Sequence, residues 1–157
     1  MAAFAQAFSH IIGNEGGFTN NPDDPGNWTS GKPGRGECRG TKYGISAHAY
    51  PSLDIANLTL EDAHGIYRRD YWDALSIDDL APPLALLVFD AAVNNGIGRA
   101  RQWLALAQKQ KNGAAICAEF QAQRLAFMAS LPTWKIFGLG WSRRLCRLPY
   151  QSLSMVE

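Results

Sequence analysis

The chain has 157 residues, 46% of them hydrophobic and 18% charged, with a formal net charge of +1. That length suits one compact domain with its own apolar core and is short for two large ones, while the composition excludes a wholly disordered chain. The longest apolar stretch, Ala81 to Phe89, carries two prolines and falls far short of the roughly 20 residues a membrane-spanning helix needs.

The N-terminus reads MAAFAQAFSHII and lacks the basic segment and continuous apolar core of a secretory signal. Phe4, Phe8, Ile11 and Ile12 recur at helical spacing, which predicts a first helix over about residues 2–14. Synthesis in a cytoplasm is the expectation. From Glu15 to about Arg39 the chain turns irregular, with GG, NNPDDPGN and SGKPGRG supplying turn geometries. An irregular segment this long inside a compact domain is usually functional or disordered. The stretch from Gly40 to Ser46, GTKYGIS, predicts a short strand or hairpin arm.

Thr59 and Asp62 form a variant capping box that opens a helix to about Trp72. Pro82 and Pro83 suit the first turn of an apolar helix, LALLVFDAAVNN, which Gly96 ends. Further helices are expected near 98–111 and 113–130, with Pro132 stopping the last and a final turn or short helix after Gly140. The fold class is therefore mainly α, with a small irregular or β-containing lobe beside a helical one. No internal repeat or low-complexity segment interrupts it.

Cys38, Cys117 and Cys146 are odd in number and far apart, and His10, His48 and His64 form no ligand pattern with them. Neither a metal site nor a cofactor is expected, and the thiols read as reduced. Charge is uneven: residues 1–78 hold six Lys/Arg against ten Asp/Glu, and residues 79–157 hold nine against four. A basic C-terminal half suits an anionic polymer, although evenly solvated charge explains it as well.

Glu15 stands where the first helix meets a glycine pair. A carboxyl at a helix C-terminus feels the negative end of the macrodipole, which raises its pKa, and burial acts in the same direction. A carboxylic acid kept protonated near neutral pH is what glycosidic bond cleavage asks of its general acid. Gly16 and Gly17 leave room for a substrate, but the same position also suits an exposed glutamate at a fraying helix end. A second group is needed to hold water or stabilise an oxocarbenium ion. Asp23, Asp24 and Glu37 lie in the loop and Thr41 and Tyr43 just beyond it; an Asp in PDDPG is commonly a turn former.

Tyr43, Tyr71, Trp72, Trp103, Trp134 and Trp141 either stack on sugar rings or fill the core, and a helical aromatic is more often core. Tyr43 is the best-placed sugar contact, and Trp28 also lies near the irregular lobe. Asp90 sits in an apolar helix and needs a buried partner, for which Arg143 is a candidate. Asn94 and Asn95 either cap that helix or direct their amides at N-acetyl groups. The histidines have no carboxylate or serine at suggestive spacing.

Taken in order, Glu15-Gly16-Gly17-Phe18, Asp24-Pro25-Gly26 and Thr41-Lys42-Tyr43-Gly44-Ile45-Ser46 resemble the glycoside hydrolase family 108 muramidases of bacteriophage endolysins and bacterial cell-wall enzymes. Tyr71-Trp72, Phe89-Asp90 with Val93-Asn94-Asn95-Gly96, and Gly140-Trp141-Ser142-Arg143-Arg144 continue the resemblance over nearly the whole chain. Phe18 stands where the family usually has Tyr. The resemblance implies a lysozyme-like fold and cleavage of the β-1,4 bond between N-acetylmuramic acid and N-acetylglucosamine, with Glu15 as catalyst and Asp24 and Thr41 as further catalytic candidates. Gly16, Gly17, Lys42, Tyr43, Tyr71, Trp72, Asn94, Asn95 and Trp141 are the implied substrate contacts. Residues 1–93 then form the catalytic region, and 94–157 a helical region resembling a peptidoglycan-binding part packed into the same domain. The usual segment between its helices is shortened here to Gln110–Gly113. The implied partner is peptidoglycan, met by a monomer without nucleic acid or stable membrane insertion. The wall would be reached through a holin or another export route. A lytic transglycosylase shares the fold and the single glutamate, and a catalytically silent wall-binding module would keep the fold alone. A nucleic-acid binder using Arg143, Arg144 and Arg147 is weakened by the near-neutral remainder of the chain.

Overall fold

The computed structural model describes residues 2–12 and 17–153. Helices dominate: α1 (Ala2–Ile12), α2 (Leu60–Tyr67), α3 (Pro82–Asn95), α4 (Ile97–Ala107), α5 (Gly113–Ala129) and α6 (Trp134–Leu153), with strands β1 (Thr41–Lys42) and β2 (Ile45–Ser46) between α1 and α2. The architecture is the mainly helical, lysozyme-like one expected. Chain contacts divide it into two compact units, Phe8–Tyr67 and Met1–Ala7 with Arg68–Glu157.

The Phe8–Tyr67 unit has little regular structure. Its hairpin pairs antiparallel, Thr41 opposite Ser46 and Lys42 opposite Ile45, as the GTKYGIS pattern predicts. The turn places Tyr43 at φ 52 and Gly44 at φ 76, a left-handed region costly for a tyrosine. The Tyr67 hydroxyl holds this turn by donating to the Tyr43 carbonyl at 3.1 Å. A Cβ on Gly44 would lie 2.5 Å from that hydroxyl, so both the turn and the tether require glycine. Gly40 plays the same part where the chain doubles back. Thr19 and Thr41 exchange backbone hydrogen bonds of 2.9 and 2.7 Å, and a Cβ on Gly40 would fall 2.5 Å from the Thr19 carbonyl oxygen.

Apolar support comes from Ile45, Ala47, Ile55, Leu58, Ala63 and Ile66, all buried, with Phe8 edge-on to His64 and Tyr67. The capping box at α2 forms as expected. Asp62 accepts from the Thr59 amide and hydroxyl at 2.9 and 2.6 Å, and the Thr59 hydroxyl accepts the Asp62 amide at 3.1 Å. These bonds hold the Asp62 carboxyl below its ordinary pKa.

In the other unit, α3 runs from Pro82 and Pro83 in its first turn through a continuous buried stretch, Leu84 to Ala92. A helix apolar on every side must be interior, and α4, α5 and α6 all pack on it. Positions 93 and 94 both lie within α3, in the same compact unit as α4–α6. Phe4, Trp72 and Phe89 form an edge-to-face trio with ring centroids 5.1 to 5.7 Å apart, geometry favoured by the aromatic quadrupole. The five residues Arg68–Trp72 form a π turn.

The C-terminal expectation needs correction. The chain from Trp134 to Leu153 is one 20-residue helix containing Pro149, not a turn or short helix after Gly140. Glycine and proline disfavour a helix locally, but burial of Leu145 and Leu148 outweighs that preference. Proline removes the hydrogen bond to the carbonyl four residues earlier. That carbonyl, on Leu145, accepts instead from the Gln121 side-chain amide at 3.1 Å. No helix among the described residues is long and apolar enough to cross a membrane.

Candidate functional site

The sequence-derived site residues fall into two sets. In the irregular unit, Asp24 takes extended backbone (φ −87°, ψ 115°) and caps the 3-10 turn Pro25–Asn27, accepting the Gly26 amide at 2.8 Å. It is exposed. One carboxylate oxygen is thus committed to shaping the DPG turn, the role such an Asp commonly has.

Asn27 organises the loop. Its side chain is fully buried, donates to the Asn21 carbonyl at 3.0 Å and accepts the Thr41 hydroxyl at 2.7 Å. Its carbonyl accepts the amides of Arg39 and Gly40 at 2.9 and 3.0 Å. The side chain of this one residue therefore ties the Asn21 segment to β1, and its backbone holds Arg39 and Gly40, satisfying groups that would be costly to leave unpaired. Half-buried Thr41 is held through it.

Lys42 donates to the Ala56 carbonyl at 2.9 Å and sits 5.5 Å above the Tyr43 ring, a cation–π arrangement that fixes the half-buried ring. Around Gly17 a Cβ would meet nothing within 4 Å among the described residues. Glu15 and Gly16 lie outside the described residues. Of the other loop acids, Asp23 is exposed and Glu37 pairs with Arg39 at the surface.

The second set lies around the C-terminal end of α3. Asp90 and Arg124 are both 0% exposed, and Arg124 Nη2 stands 2.7 Å from Asp90 Oδ2. Arg144, half-exposed, completes the cluster with bonds from Nε at 3.0 and 3.2 Å and from Nη2. The buried carboxylate does find a partner, but Arg143 is not the one: it is exposed. One residue corresponds to about 100° around a helix, and that step turns Arg144 toward α3. Burial pushes the Arg124 pKa down, and the Asp90 charge opposes that shift.

Asn94 folds back to donate to the Asp90 carbonyl at 2.8 Å, and Asn95 accepts Arg124 Nε at 2.7 Å. Both line a cavity of about 360 Å³ together with Arg99, Phe127, Trp141 and Arg144. Trp141 is half-buried against Trp134 and Phe137. Tyr71 is half-buried in the π turn. Trp72 is 0% exposed, its ring inside the Phe4–Phe89 trio and its indole N–H donating to Asp78 at 2.9 Å. As a substrate contact Trp72 is therefore corrected to core, because a ring enclosed on both faces offers none to a sugar. The indole bond, and then Arg68, hold the Asp78 carboxyl below its ordinary pKa.

Asn27 and Arg124 are the organising residues that sequence reasoning missed. An Asn after Pro-Gly reads locally as a turn former, and nothing nearby marks it as buried. For Arg124 a signal existed. A carboxylate in an apolar helix demands a cation, but the sequence names no particular one.

Residues 8–96 match the family model described as Glycosyl hydrolase 108. Among solved structures, the chain resembles one titled "Structure of Brucella abortus SagA", with 27% identity over 97% of this chain and 94% of that one, at a TM-score of 0.70. No curated protein matches.

Proposed function

Because the chain belongs to glycosyl hydrolase family 108, a family of glycoside hydrolases, we propose that it hydrolyses the β-1,4 bond between N-acetylmuramic acid and N-acetylglucosamine in peptidoglycan. Glu15 is the general acid. The observation that carries this reading is the family match itself, which spans the end of α1, the glycine pair and the whole irregular unit.

The chemistry balances with one proton donor and one water. The Glu15 carboxyl gives its proton to the glycosidic oxygen as the bond to the muramic acid anomeric carbon breaks; water then adds to that carbon, and the proton it loses restores the Glu15 carboxyl. The products are a reducing N-acetylmuramic acid and a free 4-hydroxyl on N-acetylglucosamine. Thr41 supports this role. Its hydroxyl proton is committed to Asn27, so its oxygen keeps lone pairs that can accept from the attacking water. Asp24 acts through the loop it caps, and Tyr43 presents its ring to a sugar. Peptidoglycan is the partner of a monomeric enzyme.

Product analysis tests the reading. Purified peptidoglycan digested with the protein should yield new reducing ends on N-acetylmuramic acid, read by borohydride reduction and mass spectrometry. A 1,6-anhydro product would make it a lytic transglycosylase, and retained binding without cleavage would make it a silent wall-binding module.

A further inference from the structure

Among the described residues, the cavity at the C-terminal end of α3 gathers more positive charge than its surroundings neutralise. Arg99, Arg124 and Arg144 line it, and the Asp90 carboxylate is shared between the last two. Among the described residues, Arg99 has only neutral partners there. It donates to the Asn95 carbonyl at 3.0 Å, and its guanidinium lies 4.5 Å above the Phe127 ring.

Arg124 is the more telling group. Its Nε is bonded to Asn95 and its Nη2 is paired with Asp90 at 2.7 Å, but Nη1 has no hydrogen-bond partner among the described residues. Buried donors are normally satisfied, and an unpaired Nη1 in the lining of a cavity that also holds exposed Arg99 is the cationic half of a recognition site. The lining also includes two half-buried aromatic rings, Trp141 and Phe127. An anion joined to a short aliphatic chain fits both features, with its oxygens on the guanidinium and its carbons on the rings.

We propose that this cavity is a subsite for a free carboxylate of the peptidoglycan peptide stem. The identity of the polymer rests on the hydrolase reading above, whereas the anion preference rests on the cavity alone. Through this subsite the helical unit grips the peptide part of the polymer while the bond that breaks lies in the glycan.

The full-length protein titrated with a sugar-free stem tetrapeptide, followed by heteronuclear NMR and calorimetry, gives the direct test. Saturable binding is expected, with shifts at the Trp141 indole and at Arg124 Nε. Capping the peptide's carboxylates as amides should abolish it, and Arg99→Gln, at an exposed position, should weaken it by roughly tenfold. Absence of binding, equal binding of the amidated peptide, or an unchanged affinity in Arg99→Gln would overturn the proposal. Binding of inorganic phosphate in place of the peptide would overturn it too, moving the anion to a phosphate-bearing wall polymer. Digestion of peptide-free glycan strands separates the two readings. If the wild type binds the tetrapeptide but cleaves no glycan, the subsite stands and the hydrolase reading fails. If it cleaves glycan but binds no tetrapeptide, the reverse holds.

Discussion

The two compact units hold their chains in place by different means. In Phe8–Tyr67 the backbone is tied by directed polar contacts, such as Asn27 to Asn21 and Thr41, Tyr67 to Tyr43, and the doubled bond between Thr19 and Thr41. In the helical unit, α3 is buried from Leu84 to Ala92, and a charged cluster, Asp90 with buried Arg124 and half-exposed Arg144, is set into that packing. The contrast teaches how an irregular segment can present side chains at fixed positions. Each polar tie acts over a few residues, so removing one should loosen a loop. A buried charge in a packed core is shared by every helix around it, so unbalancing it should be felt globally.

The largest expected effect tests whether function follows the irregular unit. Glu15→Gln keeps shape but cannot donate a proton, and hydrolysis of purified peptidoglycan should fall by roughly 10²–10⁴-fold with the melting temperature unchanged. Asp24→Asn should cost far less, because an amide oxygen can still cap Gly26. If Asp24→Asn were the inactive variant and Glu15→Gln kept normal turnover, the general acid would have been misassigned.

Next in size is the core cluster. Asp90→Asn leaves the buried Arg124 guanidinium without its counter-charge and should destabilise the protein by about 3–5 kcal/mol in urea unfolding. A loss below about 1 kcal/mol would show that the buried Asp90 charge is dispensable to the core, and the contrast between the units would lose its second half.

Asn27→Ala should cost about 1–3 kcal/mol, the penalty for orphaning buried partners. The comparison predicts where that cost appears. Hydrogen exchange should quicken for the amides of Arg39, Gly40 and Thr41, while those of α3 and α5 keep their protection. Uniform acceleration across both regions would mean that the loop and the helices open as one.

The smallest effect concerns acid. Asp78 has a folded-state pKa held below its ordinary value by the Trp72 indole and Arg68. A depressed carboxylate contributes stability that is fully present above the unfolded pKa of about 3.9, and that is lost as pH falls through the lower folded value. Half-exposure keeps the contribution small. Asp78→Asn should therefore flatten the stability profile only below about pH 4, and a parallel offset at every pH would assign Asp78 a purely steric role.

Much of the fold is legible where local signals and burial agree. The capping box at Thr59, the Pro82–Pro83 start, the Gly96 stop and the GTKYGIS hairpin are each set by groups within a few residues of one another, so the sequence by itself determines them. It also determines the family, because a spaced series of motifs survives without any knowledge of contacts.

Other features arise from contacts between residues distant in the chain. Local propensity argues against a helix through Gly138, Gly140 and Pro149, and only burial of the Leu145–Leu148 face together with the Gln121 bond to the freed carbonyl makes α6 continuous. The sequence requires a cation for Asp90, but the register of α5 and α6 against α3 selects Arg124 and Arg144. Tertiary packing likewise encloses Trp72 with Phe4 and Phe89 and leaves Trp141 on a cavity wall, although both are helical aromatics of the same chemical promise. Side-chain chemistry is written residue by residue. Which side chains are desolvated, and beside what, is decided only when the elements pack.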